Sequence, residues 1–433
     1  MTDASAPEPI QLLTLDRFDR HGTTQARAND EWVSVEHGIP GEQVRAEIIG
    51  GKRPRARILE IIEAAPDRVE APCPYFRDWA CGGCQWQHIS YEGQIERKRE
   101  AVNTAMRRAH LSVTVTAVHT LNDPWRYRST AGISLGKAAG FRRHGSLAIV
   151  PIRDCPISHP LIGALMASLN DALDAGRLPN FRGRLRLDVR VAEGDDTARL
   201  QVLVRATERE KLPASEELAH VFDVLQSLEH VQGIALQADD GSIQVVSGDL
   251  LAPTILMNRR VYLGAASFFQ TNLRLLPTLI ARLQQEAAPL QGKTVADVYG
   301  GVGLFGLYLA GEAERVLVIE SDQLAVDAGE RTRSAWGAGN VEFVTERAET
   351  AREHIEQAYV VVVDPPRSGL APAVIQGFLE SGPPLLLYVS CLAESLARDL
   401  VDLLEAGYTL EHLELFDFYP QTYHVELLAV LRR

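Results

Sequence analysis

Cysteine is scarce, with five in 433 residues and uneven spacing. That excludes a disulfide framework and favours metal binding or catalysis in a reducing compartment, so a cytoplasmic protein is expected. Long apolar runs are missing as well, and no stretch reaches the uncharged length that crosses a bilayer. Met1 to Pro9 is small and acidic with no apolar centre, the pattern of neither a signal nor a transit peptide. No internal repeat and no low-complexity segment is evident. Positive charge is short overall: the net charge of −13 speaks against nucleic acid, because phosphate binding rests on Lys and Arg. The deficit is not uniform, however. From Pro66 to Pro160, 13 Lys and Arg stand against eight Asp and Glu, a basic middle compatible with RNA. The remainder, 46% apolar and 23% charged, is ordinary for a globular chain long enough for two to four domains.

Residues 10 to 64 read as β. Gln43–Ile49 and Ala56–Ile62 alternate, with Ile39-Pro-Gly41 and Gly50-Gly51 as punctuation. Short strands and tight turns suggest a small barrel of oligonucleotide-binding type, with Lys52, Arg53, Arg55 and Arg57 on one hairpin; a small barrel with a solvated basic edge reads the same way. A helical pattern from Tyr91 carries Arg97, Lys98, Arg99, Arg107 and Arg108 on its polar side, as many solvated helices do. Residues 125 to 265 mix strands such as Leu185–Val191 and Leu200–Arg205 with helical stretches near 160–175 and 214–228. Asn272 to Ala287 reads as helix. Strands then alternate with helices at Thr294–Val298, Arg315–Ile319, Val341–Val344, Tyr359–Val363 and Leu385–Ser390, which predicts a doubly wound α/β sheet. Two final β runs, Leu413–Phe418 and His424–Arg432, are too close together for a crossover helix and should be antiparallel to their neighbour. Three domains follow: a barrel at 1–66, an α+β middle at 67–265, and an α/β domain at 266–433, with the helix at about 92–108 a candidate to pack on the last.

Chemistry concentrates in that last domain. Val295 to Gly306 is strand, glycine turn and helix start, with Gly301, Gly303 and Gly306 matching a dinucleotide fingerprint. Glu320 closes the next strand, about 20 residues on, where an acidic residue takes ribose hydroxyls. The same geometry serves a nicotinamide dinucleotide or S-adenosylmethionine. Asp364-Pro-Pro-Arg-Ser-Gly369 leaves the fourth strand, its prolines stiffening a loop that carries Asp364 and Arg367, and Asp-Pro-Pro there favours adenosylmethionine. Leu385 to Ser390 is apolar throughout and stops at Cys391, at the sheet edge where such folds bind ligands. A cysteine there is a candidate nucleophile, and an inert buried thiol is the commoner alternative. Upstream, Cys73, Cys81, Cys84 and Cys155 are spaced C-x7-C-x2-C-x70-C. Three ligands from one loop and a distant fourth followed by Pro156 favour a 4Fe–4S cluster over zinc or unliganded thiols. The C-x3-C-x2-C of radical enzymes is absent.

Taken together, these motifs resemble the RNA 5-methyluridine methyltransferase family, in particular its iron–sulfur branch acting on 23S ribosomal RNA. The resemblance covers nearly the whole chain. It runs from a TRAM-like barrel ending Arg68-Val69 through Cys73-Pro-Tyr-Phe76, Cys81-Gly-Gly-Cys-Gln-Trp-Gln-His88, Gln94, Tyr127-Arg128 and Asp154-Cys155-Pro156. It continues through Phe268-Phe-Gln-Thr-Asn272, the glycine turn, Asp364-Pro-Pro-Arg367, Ser390-Cys391 and Pro420-Gln-Thr-Tyr-His-Val-Glu426. The resemblance implies a Rossmann-like methyltransferase domain and a 4Fe–4S cluster on the four cysteines. It implies a cofactor site lined by Gln270, Tyr299, Glu320 and Asp364, with Gly301 and Gly303 in its turn, and it makes Cys391 the nucleophile and Glu426 the base. Phe268 is a candidate to stack on an extruded base, or else core; Arg367 is a candidate RNA contact. Leu304, Arg347 and Ser129-Thr130 depart from the family's usual residues, so Leu304 and Arg347 are not assigned to the cofactor.

The expected partner is therefore RNA, ribosomal before transfer RNA, bound by a monomer without membrane contact. An RNA 5-methylcytosine enzyme is the near rival, but it would carry a second cysteine in the Asp-Pro-Pro loop, and residues 364–369 have none. A catalytically idle RNA-binding protein is the rival from another class, and a nicotinamide dehydrogenase fits only the glycine turn.

Overall fold

The computed structural model describes residues 10–433 except Asn29, 52–53, 78–80, 195–196 and Ala266. Lys52 and Arg53, expected on a basic hairpin, lie outside the described residues. The chain divides into two compact units. One runs to Lys98 and includes Tyr419–Tyr423; the other comprises Arg99–Phe418 and His424–Arg433.

In the first unit five strands close a barrel in the order Ile10–Phe18, Thr24–Ala28, Glu31–Val35, Arg55–Glu63, Gln43–Ile49. Period-two alternation explains the closure: Val44, Ala46 and Ile48 point inward and meet Leu13, Leu15, Ala26, Val33, Val35 and Ala56. The Tyr419–Tyr423 segment is held here by buried polar groups. Gln94 exchanges hydrogen bonds with Gln421, 3.0 Å from its amide nitrogen and 2.8 Å to its amide oxygen, and the buried Lys98 donates to the Tyr419 carbonyl at 2.9 Å.

The second unit contains a seven-stranded sheet in its middle region, with helices Pro160–Asp174 and Ser215–Gln226 and a hairpin of Leu251–Leu256 with Arg259–Gly264. Its other sheet has seven strands labelled here β1 (Thr294–Val298), β2 (Arg315–Glu320), β3 (Val341–Thr345), β4 (Val360–Val363), β5 (Leu385–Ser390), β6 (Thr409–Phe416) and β7 (Glu426–Arg432). They run in the order β3-β2-β1-β4-β5-β7-β6, and Ala117–His119 adds an eighth strand beside β6. β1 to β5 are parallel, whereas β7 is antiparallel to both β5 and β6. Every residue of β4 and β5 is buried, as expected for strands covered on both faces. The core includes Val298, Val363, Tyr388, Leu400 and Leu427, together with Val102, Ala105 and Met106 from the helix Tyr91–Arg108.

The helix expected from Asn272 starts later, at Leu276. Pro277 occupies its first turn, and the Asn272 side chain accepts from the Leu275 N–H at 3.2 Å while donating to the Phe418 carbonyl at 3.1 Å. A side chain that bonds to nearby backbone in this way competes with helix propagation. Among the described residues no helix is long and apolar enough to cross a membrane.

Candidate active site

The strand order reverses between β1 and β4, and open α/β sheets bind ligands outside the carboxyl ends of strands at such a point. At the mouth of β1 the chain turns through Tyr299, which takes the left-handed φ of 61°, and then Gly301 and Gly303 at 56° and 73°. A side chain at Gly303 would strike the Phe343 ring at 2.6 Å, and open space surrounds Gly301, leaving a ligand free to approach the backbone. Glu320, at the end of β2, accepts from the Gly301 N–H at 3.0 Å; its other oxygen accepts from Ser321 and Asp322 at 2.6 and 2.8 Å. The carboxylate therefore braces the turn and keeps lone pairs for further donors. Beside it opens a cavity of about 300 Å³ lined by Tyr299, Ile319, Glu320, Ser321 and residues 346–349. A pocket of that size with a polar rim suits a small ligand of nucleoside size. Arg347, which the sequence reading set aside, belongs to its lining.

Asp297 was not singled out from the sequence, yet it is fully buried under this turn. Burial pushes its carboxyl up to about 7, as do Asp364 and Glu320, against the Gly306 N–H that donates to Oδ2 at 2.7 Å. The only signal for it was a carboxylate in a strand otherwise made of Val, Ala and Thr.

β4, β5 and β7 deliver the other groups. Asp364 follows β4 and receives the Gln270 amide at 3.3 Å; burial pushes its carboxyl up to about 7. β5 and β7 pair up to Ser390 with Leu427, so the register carried one residue further sets Cys391 opposite Glu426. Directly opposed residues of an antiparallel pair share a face. Glu426 is 1% exposed, its Oε1 has no hydrogen-bond partner among the described residues, and burial and the Asp364 charge raise its carboxyl well above the ordinary range. The half-buried Cys391 thiol is pushed up to about 11 by burial, by Glu426 and by Asp364, with Arg367 pulling the other way. Arg367 is exposed, 3.4 Å from His424 Nδ1. Phe268 is 77% exposed, so it is not core.

The loop 364–371 is clamped from behind. Buried Asp399 accepts from the Leu370 N–H at 2.8 Å and from the Tyr388 hydroxyl at 2.7 Å, Arg398 donates to the Ser368 carbonyl at 2.7 Å, and the Ala371 N–H reaches the Tyr299 hydroxyl at 3.4 Å.

The structure thus brings Gly301, Gly303, Tyr299 and Glu320 to one turn, and Gln270, Asp364, Cys391, Glu426 and Arg367 to the adjoining strand ends. The cysteines expected to hold a metal are divided between the two units, Cys73, Cys81 and Cys84 in the first and Cys155 in the second. Cys73 is buried in a small apolar cluster against which Cys84 packs, and Cys155 is buried in turn. Among the described residues no three His, Cys, Asp or Glu side chains are grouped so as to hold a metal ion.

Comparison with known proteins agrees with the geometry of the sheet. Residues 257–433 match the model of the family described as tRNA (Uracil-5-)-methyltransferase. A protein of Halalkalibacterium halodurans named as an uncharacterized RNA methyltransferase is 30% identical, over 97% of this chain and 96% of its own. Another so named, from Listeria innocua, is 31% identical over 97% of each chain. The crystal structure of Pyrococcus abyssi tRNA (uracil-54, C5)-methyltransferase with S-adenosyl-L-homocysteine superposes with a TM-score of 0.76 at 23% identity, covering 97% of this chain and 100% of that one. That likeness is one of fold.

Proposed function

The chain belongs to the RNA 5-methyluridine methyltransferase family and is an adenosylmethionine-dependent RNA methyltransferase acting at uracil C5; from that premise we propose that it modifies a uridine of 23S ribosomal RNA through a covalent Cys391 adduct. The observation that carries the mechanism is the register of β5 and β7, which carried one residue past Ser390 and Leu427 opposes Cys391 to the buried Glu426, whose charge acts on the thiol. Carbon 5 of uracil is a weak nucleophile. Addition of the Cys391 thiolate to carbon 6 moves the ring electrons to carbon 5, which then forms a bond to an electrophilic methyl group. Adenosylmethionine would supply that methyl, its sulfonium–methyl bond breaking to leave the neutral thioether S-adenosylhomocysteine. Glu426 next removes the carbon 5 proton while the sulfur–carbon 6 bond breaks, which restores the double bond and frees the thiolate. A carboxylate whose affinity for protons is raised by burial suits that step.

Gln270 and Asp364 would hold the cofactor near the thiol, while Glu320 takes its ribose hydroxyls with Tyr299 and the backbone of Gly301 and Gly303 alongside. The reacting uridine has to leave its stack, and the exposed Phe268 ring offers it a face. Arg367 would meet the RNA and, being cationic, also favours the thiolate. The Cys73, Cys81, Cys84 and Cys155 pattern is assigned to a 4Fe–4S cluster on its sequence spacing, and no step is routed through the cluster. Protein isolated anaerobically should then contain about four irons per chain, and Cys84→Ser should lose them.

Ribosomal RNA is preferred because the cysteine pattern resembles that branch of the family. The alternative, a transfer RNA uridine, draws on the matched family description and on the Pyrococcus abyssi enzyme. Mapping 5-methyluridine in a deletion strain tests the target: loss from 23S RNA supports it, and loss from transfer RNA overturns it while leaving the chemistry intact. Cys391→Ala should abolish turnover, and Glu426→Gln should trap an RNA adduct of retarded gel mobility. A Cys391→Ala protein methylating at the normal rate would end the covalent reading.

A further inference from the structure

Outside the site described above, one buried charge has no counter-charge among the described residues. Arg190 lies on the strand Leu185–Glu193, between Thr130 and Gln201 of the neighbouring strands, and is only 7% exposed. Among the described residues it donates to the Ser267 carbonyl, while its Nε and Nη1 have no partner. Burial pushes its pKa down, to about 10. Replacing such a group by an apolar side chain of similar volume is often neutral or stabilising, so stability does not account for its presence. Its location does. The segment Ser267–Thr271 is pinned at its first residue by Arg190 and at its last by the neighbouring strand. There the Ser129 N–H and hydroxyl both donate to the Thr271 carbonyl at 2.9 Å, and the Thr130 and Thr271 hydroxyls are 2.9 Å apart. Between the pins Phe269 is buried, its ring centre 5.9 Å from the Arg190 guanidinium. Phe268 projects outward on one side, and on the other the buried Gln270 faces Asp364.

We propose that Arg190 is a positioning residue for the reaction, holding the Ser267–Gln270 segment so that the Phe268 ring and the Gln270 amide are presented in fixed geometry. The proposal rests on the roles given above to Phe268 and Gln270. Fixed placement of substrate-contacting groups is worth orders of magnitude in rate, and a loop freed at one end loses it. The guanidinium fork matters because one group must grip a carbonyl while lying over an aromatic ring, which an ammonium does less well.

The test compares Arg190→Met, Arg190→Lys and Phe268→Ala in the full-length protein by steady-state kinetics with RNA, adenosylmethionine binding by calorimetry, and thermal melting. Arg190→Met should lower kcat/KM by at least about tenfold. Its melting temperature should be unchanged or higher, and Arg190→Lys should recover part of the activity. A melting temperature lowered in step with activity would make Arg190 merely structural, and activity within about twofold of the parent would overturn the proposal outright. Phe268→Ala separates the two layers. If it alone is fully active, the stacking role fails, and Arg190 is then judged by whether Arg190→Met weakens adenosylmethionine binding through Gln270.

Discussion

The Tyr388 hydroxyl donates to Asp399 Oδ2 across 2.7 Å, joining the strand that leads to Cys391 to the helix Ala393–Glu405 that follows it. The same oxygen takes the Leu370 N–H, so one buried carboxylate fixes the Asp364–Leu370 loop against the thiol's own strand and helix. Asp399→Ala would leave a buried hydroxyl and an N–H without their acceptor, and Arg398 without its carboxylate. It should cost about 3–5 kcal/mol of folding free energy in denaturant titration. Asp399→Asn keeps the shape and one acceptor, and should cost less while still lowering kcat, because the loop carries Asp364 and Arg367.

The charges around Cys391 make a second prediction with a sign. Burial, Glu426 and Asp364 raise the thiol to about 11, whereas Arg367 lowers it. At neutral pH the thiol is therefore protonated, and alkylation by iodoacetamide should accelerate about tenfold per pH unit on approach to that value. Glu426→Gln removes a repelling charge, so its alkylation profile should move to lower pH; Arg367→Ala should move it to higher pH. If neither variant moves the profile, the two side chains do not act on the thiol as described.

How much of this was legible beforehand depended on whether local pattern and burial agree. β5 was visible because a strand covered on both faces has to be apolar along its whole length, and the glycine turn because its backbone conformation selects for glycine. The antiparallel end of the sheet was legible in the short spacing of the last two β runs, whereas Cys391 and Glu426 were paired in role by the family resemblance, and the register that opposes them needed the fold. Arg190 was hidden. In Leu185–Glu193 the alternation groups Arg186, Asp188 and Arg190 on one outward face, yet only the first two are half-exposed and ion-paired, at 2.6 Å, while the end of the strand at Arg190 is covered. Asp399 was hidden for a similar reason: it sits beside the exposed Arg398 on an amphipathic helix, and sequence alone does not separate a solvated acid from a buried one.

Glu320 gives a test of the cofactor site. Its carboxylate braces the Gly301 N–H at 3.0 Å and borders the cavity. Glu320→Ala should raise the adenosylmethionine Kd by about tenfold or more, roughly 1.4 kcal/mol, in calorimetry. Arg347 borders the same cavity but is exposed and paired with Glu349 at 3.1 Å, so Arg347→Ala should change Kd by less than about threefold. Equal losses in both variants would argue against Glu320 as the ribose-binding group.

Glu414 on β6, two residues before the Phe416 that pairs with Glu426, ties the stability of the sheet to pH. Burial would raise its carboxyl, but hydrogen bonds from His119 at 2.7 Å and from Arg282 at 2.5 Å outweigh that and hold it at about 2. His119 comes from the edge strand Ala117–His119, so the interaction fastens the last strand of the sheet. With a folded value below the ordinary carboxylate range, the native state binds the proton more weakly than the unfolded chain does. The stabilisation is therefore complete at neutral pH and disappears as pH falls from the ordinary range toward about 2. The shift corresponds to about 3 kcal/mol. Glu414→Gln should lower the denaturation midpoint strongly at neutral pH and progressively less on acidification, so that the two unfolding curves converge near pH 2. Parallel stability losses at every pH would mean that the residue acts by packing alone, without its charge.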